Sequence, residues 1–159
     1  MRTTDLMDEY EDALHICDVS AFKRFGRSQE FGGEIITVRC FEDNTRAKKL
    51  LETPAEGRIL VVDGGASYGR ALMGDNVAAI AVKNGWRGVI INGYIRDSAE
   101  INDLDIGVVA LGATPRRPLK NDDGSVGEDI HFASSTFVTG AFVYADEDGV
   151  LLANKALSL

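Results

Sequence analysis

The sequence predicts a single α/β domain built on a mixed sheet, spanning 1–159. Helix-sized and strand-sized apolar patterns alternate through most of the chain, which favours layered α/β packing. The stretch from Phe132 to Leu152 is instead strand-rich, with turn signals at Thr139-Gly140 and Asp148-Gly149. At 159 residues and 45% hydrophobic, the chain supports one real core and calls for no second domain.

The elements follow in order. Thr4 is placed to cap a first helix over Asp5 to Asp12. Ile35 to Phe41 reads as a strand, and Asn44 to Glu52 as a helix ended by Thr53-Pro54. Ile59 to Asp63 is a buried strand running into Gly64-Gly65. After Asp75, the residues Val77, Ala78, Ile80, Ala81 and Val82 recur at helical spacing until Lys83-Asn84-Gly85 stops the helix. Val89-Ile90-Ile91 is a short apolar strand before Asn92, a short helix follows Asp97, and Gly107 to Leu111 is another strand. Asn121 to Asp129, polar and glycine-containing, reads as an exposed loop. No internal repeat or linker interrupts the pattern.

Composition excludes several classes. The longest apolar stretches are strand-sized, so no membrane-spanning helix is expected. The N-terminal segment is acidic (Asp5, Asp8, Glu9, Glu11, Asp12) and lacks a basic-then-apolar leader, which points to the cytoplasm. Cys17 and Cys40 form no CxxC and read as reduced core thiols. His15 and His131 are the only histidines, too isolated for a usual zinc site, so any metal should be oxygen-ligated Mg²⁺ or Mn²⁺. A net charge of −8 argues against direct nucleic-acid binding, and the basic pieces Arg46-Lys48-Lys49 and Arg116-Arg117 with Lys120 are small.

One constellation points to chemistry. Gly74-Asp75-Asn76 is separated from Arg96-Asp97 by one helix, a tight turn and one buried strand, with 20 residues between Asp75 and Arg96. Such a step can return the chain to the same sheet edge and bring Asp75, Arg96 and Asp97 into one cleft. Two carboxylates and a guanidinium at two helix starts suit a divalent metal and an anionic substrate. The plainer reading is capping: Asp75 precedes a helix, and Asp97 with Glu100 has capping-box spacing. Other features carry less. Val61-Val62-Asp63-Gly64-Gly65-Ala66 resembles a nucleotide loop without the full GxGxxG spacing, and close backbone approach accounts for its glycines better. Asp146-Glu147-Asp148-Gly149 fails the calcium-loop pattern and reads as an acidic hairpin turn. Lys83 stands among polar residues at a helix end, where nothing would lower its pKa for Schiff-base chemistry.

The segments Glu30 to Val38, Cys40 to Asn44, Gly57 to Gly65, Arg70-Ala71-Leu72, Val82 to Trp86, Asp103 to Gly107 and Tyr144-Ala145-Asp146 together resemble the RraA-like family. That family groups the regulator of ribonuclease activity A with 4-hydroxy-4-methyl-2-oxoglutarate aldolases. The resemblance implies a swivelling β/β/α fold, a homotrimer with its cleft between subunits, and either of two functions. Asp75 with Arg96-Asp97 reproduces the aldolase pattern, which implies a divalent-metal-dependent lyase acting on a small 2-oxo acid and decarboxylating oxaloacetate through the same pyruvate enolate. Asp97 would ligate the metal, Asp75 would orient or deprotonate a coordinated water, and Arg96 would brace the keto oxygen. The backbone of Gly74, Asp75, Asn76 and Val77 would hold the substrate carboxylate. Asp146, Glu147 and Asp148 are candidates for a further proton-transfer group. The alternative is a regulator whose acidic surface inhibits an RNA-degrading endonuclease without catalysis; a methyltransferase, suggested by the glycine loop, would require S-adenosylmethionine.

Overall fold

Ile59–Val62 and Val89–Ile91, the strongest apolar runs, form the centre of the sheet and are buried on both faces. The structure, a computed structural model, describes residues 2–159. Its elements are α1 (Thr3–Tyr10), a 3₁₀ turn (Glu11–Ala13), β1 (His15–Ile16), β2 (Lys23–Phe25), β3 (Phe31–Arg39), α2 (Thr45–Leu51), β4 (Arg58–Asp63) and α3 (Asp75–Lys83). These are followed by β5 (Gly88–Ile95), α4 (Ser98–Asn102), β6 (Gly107–Ala113), β7 (Ser125–Val126), β8 (Ile130–Phe132), β9 (Ser135–Phe137), β10 (Phe142–Asp146) and β11 (Gly149–Ala153). The mixed sheet runs β1-β11-β10-β3-β4-β5-β6-β2, with β7 alongside the end of β3 and β8-β9 as a separate hairpin. Strands β3 to β6 are parallel to their neighbours in this group, and the outer pairings are antiparallel.

Alternation along the central strands builds two cores, because successive side chains point to opposite faces. Leu60, Val62, Val89, Ile91, Val108 and Ala110 face α2, α3 and α4 and pack with Leu51, Ala78, Ala81, Trp86 and Ile101. Ile59, Val61, Ile90 and Val109 face the other way, against Phe31, Ile130, Phe137 and Val143. Phe31 lies across paired Gly88 and Gly107; a Cβ at those positions would meet its ring at 2.2 Å and 2.5 Å. Both thiols are buried and free, and burial pushes Cys17 up to about 11 and Cys40 up to about 12. They are inert core groups.

The elements depart from the sequence-based expectation in places. α1 starts at Thr3 rather than after Thr4, and no side chain caps it. Thr3 instead donates through its N–H (2.7 Å) and hydroxyl (2.6 Å) to Asp146, which is fully buried. The N–H of Asp148 completes that shell at 2.9 Å, and Arg2 pairs with Glu147 at 3.1 Å. The β10–β11 turn is therefore the anchor for the start of the chain. The loop expected over Asn121 to Asp129 contains β7, which pairs with Val38 and Arg39. Strands β1 and β2 were not expected at all.

Candidate active site

The cleft is assembled where the C-terminal ends of β4 and β5 meet the start of α3. After β4 the chain loops out and returns beside the end of β5. Leu72 N–H donates to Tyr94 O at 2.8 Å, Arg96 N–H donates to Met73 O at 2.9 Å, and Met73 bridges Ile95 in parallel. This short pairing sets Gly74-Asp75 directly beside Arg96-Asp97, the convergence that the spacing of the two segments suggests.

Neither aspartate side chain caps its own helix. Asp75 is the first residue of α3, and Gly74, which holds the N-cap position, has no side chain to cap it. Asp97 does occupy the N-cap position of α4, but in the left-handed region (φ 56°, ψ 44°), and its side chain makes no cap bond. Left-handed backbone costs a non-glycine residue roughly 1–2 kcal/mol, least for Asp and Asn. Its Oδ2 is turned across the cleft, where it accepts from the N–H of Asp75 at 3.2 Å. A Cβ on Gly74 would stand 2.8 Å from that oxygen and 3.4 Å from Nε of Arg96, so the contact requires the missing side chain.

Gly74, Asp75, Asn76, Val77, Arg96 and Asp97 all line one cleft of about 240 Å³. The expected backbone cradle needs one correction: the N–H of Asp75 is already taken by Asp97, leaving those of Asn76 and Val77 without intrahelical partners at the helix start. Asn44, Lys48, Arg117 and Lys120 supply the other polar side chains of the lining, beside Ile80 and Pro118. Sequence reasoning missed these four as site residues. The signal was there in the two densest basic pieces of an acidic chain, which were weighed only for nucleic-acid contact. Lys48, Arg96, Arg117 and Lys120 outnumber the carboxylates of Asp75 and Asp97, so the cleft is locally cationic. Two buried side-chain atoms without a partner, Nε of Arg96 and Oδ1 of Asn44, belong to lining residues. Unmet polar atoms of this kind are costly unless a ligand satisfies them.

The donor set tests which metal would fit. Among the described residues no three His, Cys, Asp or Glu side chains come together as a metal cluster. No histidine or cysteine lines the cleft, and its acidic donors are Asp75 and Asp97. Such a set fails for structural zinc but fits Mg²⁺ or Mn²⁺, which take one or two carboxylates and keep several waters.

Other motifs fall outside the cleft. The N–H groups of Gly64 and Ala66 donate to Asn92 O at 3.0 Å and 3.1 Å, and that of Gly65 donates to Asp63 Oδ1 at 2.9 Å. The glycine loop thus spends its amides internally and has none of these three left for a nucleotide phosphate. Lys83 closes α3, and Asp146, Glu147 and Asp148 are tied to the N-terminal segment and do not line the cleft.

Residues 3–152 match the profile of a family described as RraA-like, Aldolase/RraA. A Bacillus cereus protein provisionally named 4-hydroxy-4-methyl-2-oxoglutarate aldolase is 46% identical over 98% of this chain and 98% of its own. A solved structure from Geobacillus kaustophilus, described as an S-adenosylmethionine:2-dimethylmenaquinone methyltransferase, superposes with TM-score 0.95 at 45% identity, covering 99% of this chain and 97% of that one. One from Thermus thermophilus, described as the RNA-processing inhibitor RraA, superposes with TM-score 0.94 at 40% identity, covering 99% and 95%.

Proposed function

The chain belongs to the RraA-like family, and from that premise we propose that it is a divalent-metal-dependent carbon–carbon lyase cleaving 4-hydroxy-4-methyl-2-oxoglutarate to pyruvate. Oxaloacetate decarboxylation is the expected side reaction. The observation that carries this reading is Asp97, held in a left-handed conformation that turns its carboxylate away from α4 and across the cleft, beside an arginine whose buried Nε has no partner. A strained backbone and an unpartnered buried donor in one cleft point to a ligand.

A cation bound at Asp97, with Asp75 beside it, would supply Lewis-acid polarisation of the substrate's C2 keto oxygen. The chain's own groups do the rest. Backbone N–H groups of Asn76 and Val77, at the positive end of α3, orient the adjacent C1 carboxylate. As the C3–C4 bond breaks, its electron pair moves toward the C2 oxygen, and Arg96 stabilises the charge developing there. The C4 hydroxyl loses its proton as the bond breaks and C3 must gain one, and Asp75 is the carboxylate available in the cleft to take the first and return it to C3. Lys48, Arg117 and Lys120 face the far carboxylate of the substrate, and Asn44 Oδ1 accepts from its hydroxyl. Loss of CO₂ from oxaloacetate develops the same charge on the same oxygen, so one site serves both reactions.

The methyltransferase description of the Geobacillus structure finds no support in the glycine loop, whose amides are engaged. A homotrimer is part of this proposal. Phe41 and Tyr68, 58% and 61% exposed, lie on segments joined by the Ser67–Glu42 hydrogen bond and offer apolar surface for a neighbouring copy. Light scattering on the purified protein should give three times the chain mass; a monomer at micromolar concentration would remove the shared-cleft element. The activity itself is tested by incubating the protein with 4-hydroxy-4-methyl-2-oxoglutarate and Mg²⁺ and counting pyruvate. Two pyruvates per substrate, abolished by EDTA and restored by Mg²⁺, are expected. No pyruvate above background would refute the lyase.

A further inference from the structure

One buried charge near the cleft has no role in the steps above. Asp43 is 1% exposed and sits between β3 and α2. Its Oδ1 accepts from Thr45 N–H at 2.9 Å, and its Oδ2 accepts a very short bond from Asn121 N–H. Around it, Leu119 N–H donates to Glu42 O at 2.8 Å, Asn44 N–H donates to Leu119 O at 3.3 Å, and Asp43 bridges Leu119 in parallel. Beyond it, Asp122 N–H donates to Thr45 Oγ1 at 3.2 Å. One carboxylate thereby stitches two remote segments together.

Those segments are the ones that carry the cationic wall. Asn44 and Lys48 come from the α2 side, Arg117 and Lys120 from the 117–121 side. Burying a carboxylate is costly unless donors converge on it, and a cap for α2 needs only the Thr45 bond. The second oxygen serves the loop. We infer that Asp43 is a positioning residue: it fixes the 117–121 segment against the start of α2 and so sets the spacing of Lys48, Arg117 and Lys120 around the far carboxylate of a 2-oxo dicarboxylate. The inference rests on the lyase reading for its substrate, while its geometry stands without it. Burial pushes the Asp43 carboxyl up, but the N–H groups of Thr45 and Asn121 outweigh that and hold it below the ordinary range, so it is ionised at neutral pH.

The test separates the two ends of the ligand. With Mg²⁺ present, calorimetry measures 2-oxoglutarate, which carries the far carboxylate, and pyruvate, which lacks it. Asp43→Asn should weaken 2-oxoglutarate about tenfold and leave pyruvate within about twofold, with KM for oxaloacetate raised about tenfold and kcat nearly unchanged. Asn121→Pro removes the N–H that Oδ2 accepts and leaves the buried carboxylate in place, so it carries the test if Asp43→Asn does not fold; the same selective loss is expected. Equal weakening of both ligands, or of neither, would overturn the inference and return Asp43 to a structural role. Wild-type binding of both ligands without turnover would refute the lyase and still let the ratio judge Asp43. Binding of neither would overturn both.

Discussion

Asp97→Asn should lower pyruvate release by at least about 10²–10³-fold while leaving the fold intact. Asparagine tolerates the left-handed backbone that Asp97 adopts, and it keeps an oxygen for the N–H of Asp75. The substitution therefore removes the charge and little else, and the position is exposed, so thermal stability should move by no more than about 0.5 kcal/mol. A large activity loss in a normally folded variant identifies the carboxylate as functional. A protein that acts solely by presenting its acidic α1 segment to a ribonuclease would be indifferent to this change. The same variant thus separates catalysis from the inhibitor role named for the Thermus structure.

Asp146→Asn is expected to be the most damaging change for stability outside the apolar core, by about 2–4 kcal/mol, or roughly 5–15 °C in melting temperature. Asp146 is fully buried and accepts from Thr3 N–H, Thr3 hydroxyl and Asp148 N–H. An amide in its place turns a donor toward one of those donors. Burial by itself raises the Asp146 carboxyl, but the bonds from Thr3 and Asp148 and the charge of Arg2 outweigh it, leaving the folded-state value lowered. A lowered carboxylate contributes stability above its unfolded value of about 4, and that contribution is lost as pH falls through the folded value. Wild type should therefore lose stability on acidification below about pH 4 more steeply than the Asn variant, which has no such group to protonate. Melting curves from pH 3 to 7 read the difference directly; parallel curves would contradict the clamp.

What was legible in the sequence follows from which interactions are local. The parallel strands could be found because both faces are buried, so Ile59–Val62 and Val89–Ile91 are continuous apolar runs. Strands β1 and β2 could not, being two and three residues long and mostly exposed, and existing only through pairing with β11 and β6. The start of β3 hid behind Gly32-Gly33, where glycine is demanded by neighbours remote in sequence: a Cβ on Gly33 would meet Gly57 O at 2.0 Å. The site divides the same way. Asp75, Arg96 and Asp97 were legible because one αβ step joins them. Lys48, Arg117 and Lys120 were not, since their convergence depends on Asp43 reaching Asn121 across 78 positions. Asp97 holds the N-cap position of α4 as its spacing suggests, but the pattern Asp-x-x-Glu says nothing of the left-handed backbone that turns its carboxylate away from α4 and toward the N–H of Asp75.

The most direct test of the central claim is pyruvate release from oxaloacetate by wild type and Asp97→Asn, each with Mg²⁺ and with EDTA, against an enzyme-free control at the same metal concentration. The account predicts turnover above that control for wild type with Mg²⁺ alone, lost with EDTA and lost in the variant. Turnover that persists in Asp97→Asn, or wild-type release no faster than the metal-only control, would contradict it.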